Sequence, residues 1–301
     1  MSNTTLWRGV IPAITTPFTV DGQVDHAFLA QHARTLIDSG CTGIVPLGSL
    51  GEAATLSFEE KLAIMRTLVT ALAGRAPVIP GIAALSTDEA VRLAREAKAL
   101  GAAGLMVLPP YVYSTDWHEM GAHLRAVIAA TDLPCMLYNN PVAYKTDFSP
   151  EQIAELAAEF PNVQAVKESS GDVRRFAALR TLLGHRLELL VGMDDAIVEG
   201  VAMGARGWIA GLVNAYPKES VKLFELARDG GADAAAELYG WFLPLLRLDT
   251  VPKFVQLIKL VQEKVGMGSE RVRAPRLPIT GAERETALRV IDHAIAHTPV
   301  L

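Results

Sequence analysis

The chain has 301 residues, half of them hydrophobic and a fifth charged, with a formal net charge of −5. That balance supplies a substantial core and excludes a disordered chain. The mild acidity, with no basic block and no interleaving of aromatic and basic residues, excludes nucleic acid and an anionic membrane surface as expected partners.

Short apolar runs alternate along the chain with longer amphipathic stretches. The strand candidates are residues 9–15, 43–47, 77–81, 104–108, 135–138, 163–167, 187–191 and 207–210. Helix starts are marked between them: Ser57-Phe58-Glu59-Glu60 and Ser86-Thr87-Asp88-Glu89 read as capping boxes, and Ser149-Pro150-Glu151-Gln152 adds proline at the first helical position. Gly101 and Gly184 fall where helices should stop. Eight strand–helix units in residues 1–228 predict an α/β fold, a (β/α)8 TIM barrel. A doubly wound sheet would carry a glycine-rich dinucleotide loop after its first strand, where Thr15-Thr16-Pro17-Phe18 stands instead. Asp229-Gly230-Gly231 then breaks the alternation. Residues 229–301 are expected to form a C-terminal helical appendage packed on the barrel, with helices near 232–246, 253–265 and 282–297.

No apolar run approaches the ~20 residues that span a bilayer, and residues 1–8 hold no signal-like core, so a cytoplasmic location is expected. Cys41 and Cys135 share no metal-ligand spacing and are expected to be buried free thiols. His293 and His297, one helical turn apart, are read as a solvated helix face; no metal site is expected.

In a barrel, chemistry collects at the carboxyl ends of the strands. Those ends supply Thr15 and Thr16, then Gly48-Ser49-Leu50-Gly51-Glu52, Pro109-Pro110-Tyr111, Tyr138, Lys167 with Ser169, Gly192-Met193-Asp194-Asp195 and Gly211. An amine attacks a carbonyl only when neutral, and apolar surroundings favour that form, so Lys167 is the candidate Schiff-base nucleophile. Tyr138, one unit earlier, is the candidate proton carrier. The glycines around Ser49 and Leu50 permit a tight turn able to hold a carboxylate. Ser49, Leu50, Ser169, Gly192, Asp194 and Ile209 make up the expected substrate pocket, with helix capping as the competing role for Asp194 and Asp195.

The motifs Thr16-Pro17-Phe18, Gly48-x-x-Gly51-Glu52, Tyr138-Asn139-x-Pro141, Lys167-Glu168 and Gly192-x-Asp194-Asp195 occur in order along the whole chain. Together they resemble the class I, lysine-dependent family that includes N-acetylneuraminate lyase and dihydrodipicolinate synthase. The resemblance implies a covalent imine on Lys167, a proton shuttle at Tyr138, a carboxylate held at the Ser49–Leu50 turn and Gly192 in the pocket wall. It also implies no cofactor beyond the lysine imine, a small 2-oxo or 2-imino acid substrate, and a homodimer or homotetramer. Three positions depart from the synthase pattern: Leu50 replaces a second hydroxyl residue, Ala143 stands where the synthase has an arginine, and Val112 stands where it has a second tyrosine. A closer likeness is to the 1-pyrroline-4-hydroxy-2-carboxylate deaminase subgroup. It is carried by Gly48-Ser49-Leu50-Gly51-Glu52, Tyr138-Asn139-Asn140-Pro141, the run 207–214, Leu248-Asp249-Thr250 and the run 272–278. That likeness implies release of ammonia and 2,5-dioxopentanoate. A 2-keto-3-deoxy sugar-acid dehydratase or aldolase, the synthase itself, and a non-catalytic binding barrel are the alternatives.

Overall fold

The computed structural model describes residues 6–110 and 116–301. Its strands are β1 (Gly9–Pro12), β2 (Gly81–Ile82), β3 (Leu105–Val107), β4 (Cys135–Asn139), β5 (Val163–Glu168), β6 (Glu188–Val191) and β7 (Gly207–Ala210). They pair in the order β1-β7-β6-β5-β4-β3-β2, and every pairing is parallel. Nearly every strand residue is buried, as expected of a parallel sheet covered by helices on one side and filled by side chains on the other.

The two edges of this sheet meet through residues 43–47. Val45 bridges Ala13 beyond β1, Ile44 bridges Val78, and the Gly81 N–H reaches the Pro46 carbonyl at 2.8 Å. The sequence predicts a full strand here. Pro46, Pro77 and Pro80 withhold ladder donors and Leu47 has a positive φ of 62°, so the eighth member of the barrel is a series of bridges, with β2 displaced to Gly81–Ile82. The architecture is a TIM-barrel-like α/β fold with a C-terminal helical region.

One irregularity positions the later chemistry. Cys135 pairs with Val163, but Met136 pairs with Ala165, so Gln164 is an extra residue on β5. Its side chain accepts from the Trp7 indole N–H at 3.2 Å. From that point the register runs Leu137 to Val166, Tyr138 to Lys167 and Asn139 to Glu168.

The covering helices form for local reasons. The helix Thr87–Ala99 buries Ala90, Leu93, Ala94 and Ala97, spacing that lays one stripe on the sheet. Ser57 and Ser149 close reciprocal capping boxes with Glu60 and Gln152, whereas Ser86 only accepts from the Glu89 N–H. Cys41 and Cys135 are buried free thiols, and burial pushes both up to about 12. Among the described residues, no helix is long and apolar enough to cross a membrane.

The C-terminal region is tied to the barrel through a buried ion pair. A long helix, Pro217–Leu246, kinks at Gly231 and is followed by the helices Phe254–Lys264 and Gly281–Ala296. Lys259 and Glu52 pair with side chains 1% and 0% exposed. The Lys259 ammonium also donates to the carbonyls of Thr16 and Arg271 at 2.8 and 2.7 Å, and Glu52 accepts from the Arg273 N–H at 3.1 Å. Burial pulls the Lys259 pKa down, and Glu52 pushes it back up. Removing one member of such a pair strands the other, which costs roughly 3–5 kcal/mol. Lys259→Met should therefore lower urea-unfolding stability by about that amount, and adding Glu52→Gln should recover part of the loss; a single variant as stable as the parent would disprove the anchoring role.

Candidate active site

Register partners on neighbouring strands send their side chains to the same face, so the β4–β5 pairing delivers Tyr138 and Lys167 together into the barrel mouth. The Lys167 amine lies 4.0 Å from the centre of the Tyr138 ring, and the two residues are 6% and 4% exposed. The next residue on each strand is a structural anchor. Asn139 donates to Glu168 at 3.2 Å and to Asp147 at 2.9 Å. Glu168 in turn binds the Arg175 guanidinium and the Ser170 N–H, each at 2.8 Å, which fixes the loop directly after Lys167.

The Tyr138 oxygen accepts from the Asn140 side-chain amide at 2.9 Å, leaving its own proton available for donation elsewhere. Asn140 also caps the short helix Pro141–Tyr144 by accepting from the Ala143 N–H. That helix presents Tyr144, whose ring stands edge-on to Tyr138 at 5.8 Å and whose hydroxyl bonds the Ser49 hydroxyl. Ser49 and Leu50 occupy a turn packed tightly at Gly51, where a Cβ would lie 3.1 Å from both the Ile14 carbonyl and the Leu47 nitrogen and would push the backbone aside.

These elements enclose a cavity of about 470 Å³. Ser49, Leu50, Tyr138, Lys167, Gly192 and Ile209 all line it, as do Asn140, Ala143, Tyr144, Gly211, Asp249 and Arg276. Gly192 leaves room for the lysine: a Cβ there would fall 2.7 Å from the Lys167 Cε and 2.0 Å from the Ser169 Oγ.

Two expected pocket residues lie elsewhere. Ser169 is fully buried behind Gly192, and its Oγ has no hydrogen-bond partner among the described residues. Asp194 neither contacts the cavity nor caps its own helix. Its buried carboxylate accepts from the Trp208 indole at 2.9 Å, the Gly211 N–H at 3.0 Å and the Leu212 N–H at 2.7 Å, knitting together the turn after β7. Burial pushes Asp194 up to about 6 against these donors. Where the sequence suggests a substrate contact or a helix cap, the structure places Asp194 outside the cavity lining with three N–H groups on its carboxylate, an arrangement that holds the turn. Thr15 and Thr16 are likewise structural, bonding Gln262 and the Gly51 carbonyl. Tyr111 and Val112 lie outside the described residues. His293 and His297 are exposed, and among the described residues no group of three or more His, Cys, Asp or Glu could hold a metal ion.

The sequence reading missed Asn140, Tyr144, Asp249 and Arg276 as cavity residues. Asn140 and Tyr144 extend the Tyr138 strand end through a proline-started helix, a signal that was available. Asp249 and Arg276 arrive from the C-terminal region, where no strand-end rule applies.

A parallel barrel whose carboxyl-end cavity holds a lysine beside a tyrosine has the layout of a barrel enzyme that handles carbonyl compounds. The profile of the Dihydrodipicolinate synthetase family matches residues 6–294, and the chain belongs to that family. It is 35% identical over 278 residues to a 4-hydroxy-tetrahydrodipicolinate synthase of Sorangium cellulosum, covering 92% of each chain. It is 32% identical to the enzyme of that name from Pelobacter propionicus, covering 95% of this chain and 98% of the relative. Among solved structures, a putative dihydrodipicolinate synthetase from Pseudomonas aeruginosa superposes with a TM-score of 0.89 at 33% identity, over 95% and 99% of the two chains. The synthase from Acinetobacter baumannii, complexed with pyruvate, gives 0.90 at 30% identity over 96% and 99%. Enzymes of this family work through a covalent lysine imine without an external cofactor.

The space at Gly192 makes a sharp prediction. Gly192→Ala forces the Lys167 stem aside, and a misplacement of about 1 Å can cost ~10²-fold in rate. Borohydride trapping with pyruvate, followed by intact mass, should slow by about that factor, and the clash with buried Ser169 should also lower the melting temperature; unchanged trapping would show that Lys167 does not need this path.

Proposed function

We propose that this protein is a Schiff-base lyase in which Lys167 is the nucleophile and Tyr138 the proton carrier, acting on a short 2-oxo or 2-imino acid. The observation that carries the reading is the in-register pair at the cavity wall, with the Tyr138 oxygen already accepting from Asn140 so that its proton is free to leave. The Ser49 and Tyr144 hydroxyls, joined to each other, are suited to grip the substrate carboxylate, and Tyr144 supplies the second hydroxyl that Leu50 lacks. A homodimer or homotetramer is the assembly this reading takes.

The finer proposal for the substrate is 1-pyrroline-4-hydroxy-2-carboxylate. Its C2 is already an imine carbon. Attack by the Lys167 amine gives a geminal diamine; the ring nitrogen leaves as an amine carrying the Tyr138 proton, and the lysine iminium remains. The Tyr138 phenolate then takes a C3 proton, giving an enamine that expels the C4 hydroxyl. Isomerisation and hydrolysis release ammonia and 2,5-dioxopentanoate and free the lysine. Overall one water is consumed and nothing is oxidised. No second carboxylate substrate enters, which accords with Ala143 in the cavity wall.

Condensation of pyruvate with aspartate semialdehyde, the synthase reaction, is the second reading. The names of the relatives favour it, and so does Arg276, which brings a guanidinium to the cavity wall, although 3.8 Å from Glu52.

Purified enzyme should release ammonia from the cyclic imine and condense pyruvate with aspartate semialdehyde poorly; the reverse pattern decides for the synthase. Lys167→Ala should abolish turnover and borohydride trapping together, and trapping that persists would move the nucleophile elsewhere. Tyr138→Phe should lower kcat by about 10²–10⁴ with little change in KM; a near-normal kcat would leave the ring a packing role only.

A further inference from the structure

The 3-10 turn Arg247–Asp249 joins the kinked helix to the C-terminal segment and brings Asp249 over the barrel mouth. Asp249 lines the cavity that also holds Lys167 and Tyr138. Its carboxyl group rests on Gly211: a Cβ at that glycine would lie 2.1 Å from Oδ1 and 2.8 Å from Oδ2. Asp249 Oδ1 is buried and, among the described residues, has no hydrogen-bond partner. Asp194 approaches the same glycine by binding its N–H, so two carboxyl groups converge on one residue.

Two carboxyl groups converging on one glycine do not rest together as two anions, and the charge settles where more donors stabilise it. Asp194 holds three N–H donors, whereas Asp249 Oδ1 has none among the described residues, which makes Asp194 the resting carboxylate and Asp249 the neutral acid. A neutral carboxyl group carries an O–H that must be donated, and the open direction is the cavity. Burial, then the Asp194 charge, hold the Asp249 acid well above the usual carboxylate range, with Lys167 opposing.

We propose that Asp249 is a further catalytic residue of this site, the acid that protonates the C4 hydroxyl as it leaves. This rests on the lyase reading above. In the step, the enamine nitrogen lone pair reforms C2=N, the C2=C3 pair moves to C3=C4, and the C4–O bond breaks. The oxygen takes the Asp249 proton and departs as water. Asp249 is left as the carboxylate and recovers its proton from solvent, with no oxidant or reductant involved.

The test compares the parent with Asp249→Asn, which keeps size and polarity but cannot supply the proton. Three readouts are taken: pyruvate trapping at Lys167, ammonia release from the hydroxylated imine, and turnover of the 4-chloro analogue, whose leaving group needs no proton. Trapping should persist, kcat for the hydroxylated substrate should fall about 10²–10⁴-fold with KM little changed, and the chloro analogue should be processed at a rate close to the parent's. Unchanged ammonia release by the variant overturns the acid role while leaving the lyase reading intact. Equal losses on both substrates, or lost trapping, show that Asp249 acts through packing and overturn it too. A parent enzyme that releases no ammonia removes the substrate assignment and the acid role together, an outcome distinct from the others.

Discussion

The site depends on one backbone event, the extra residue in β5. Without Gln164 as an insertion, the pairing that starts at Cys135–Val163 would carry Val166, not Lys167, opposite Tyr138. Since successive side chains alternate faces, a one-residue slip would also turn the amine out of the barrel. Trp7 holds Gln164 from outside the first strand. The lysine is thus aimed from three residues earlier in its strand, by a side chain that does not line the cavity.

Around that pair the structure separates groups that face the cavity from groups that hold them. Tyr138 and Lys167 face the cavity, while Asn139 and Glu168 face the other way into a network with Arg175 and the Ser170 N–H. Alternation along a strand allows adjacent residues such divergent duties. The two aspartates near Gly211 divide similarly. Asp194 organises the turn, and Asp249 reaches the cavity.

Much of this was legible in the sequence because barrel logic is local. Apolar runs marked the strands, capping residues marked the helices, and the strand ends led to Ser49, Leu50, Tyr138, Lys167, Gly192 and Ile209, which share one cavity. Periodicity could not resolve the bridged segment 43–47, where prolines make an apolar run look more regular than its hydrogen bonds are. Nor could it tell that Asp194 is engaged by the Trp208 indole and two backbone N–H groups, since an aspartate after a strand looks the same whether it faces a cavity or a turn. Asp249 and Arg276 lay beyond local inference altogether, their approach to the cavity being set by the packing of the C-terminal helices.

The Glu52 contacts have a consequence for how the chain acquires its structure. The turn holding Ser49 and Glu52 lies in the first fifth of the sequence, yet Glu52 pairs with the Lys259 ammonium and accepts from the Arg273 backbone N–H, separated from it by 207 and 221 residues. Contacts of such long range are slow to form, and synthesis at roughly 5–20 residues per second delays their arrival on the ribosome by many seconds. The strands can assemble as they emerge, but the turn beside Ser49 must wait for the partners that pair with Glu52. The cavity is therefore completed by an end-to-end contact, so that its walls come before the contacts that fix the turn beside Ser49.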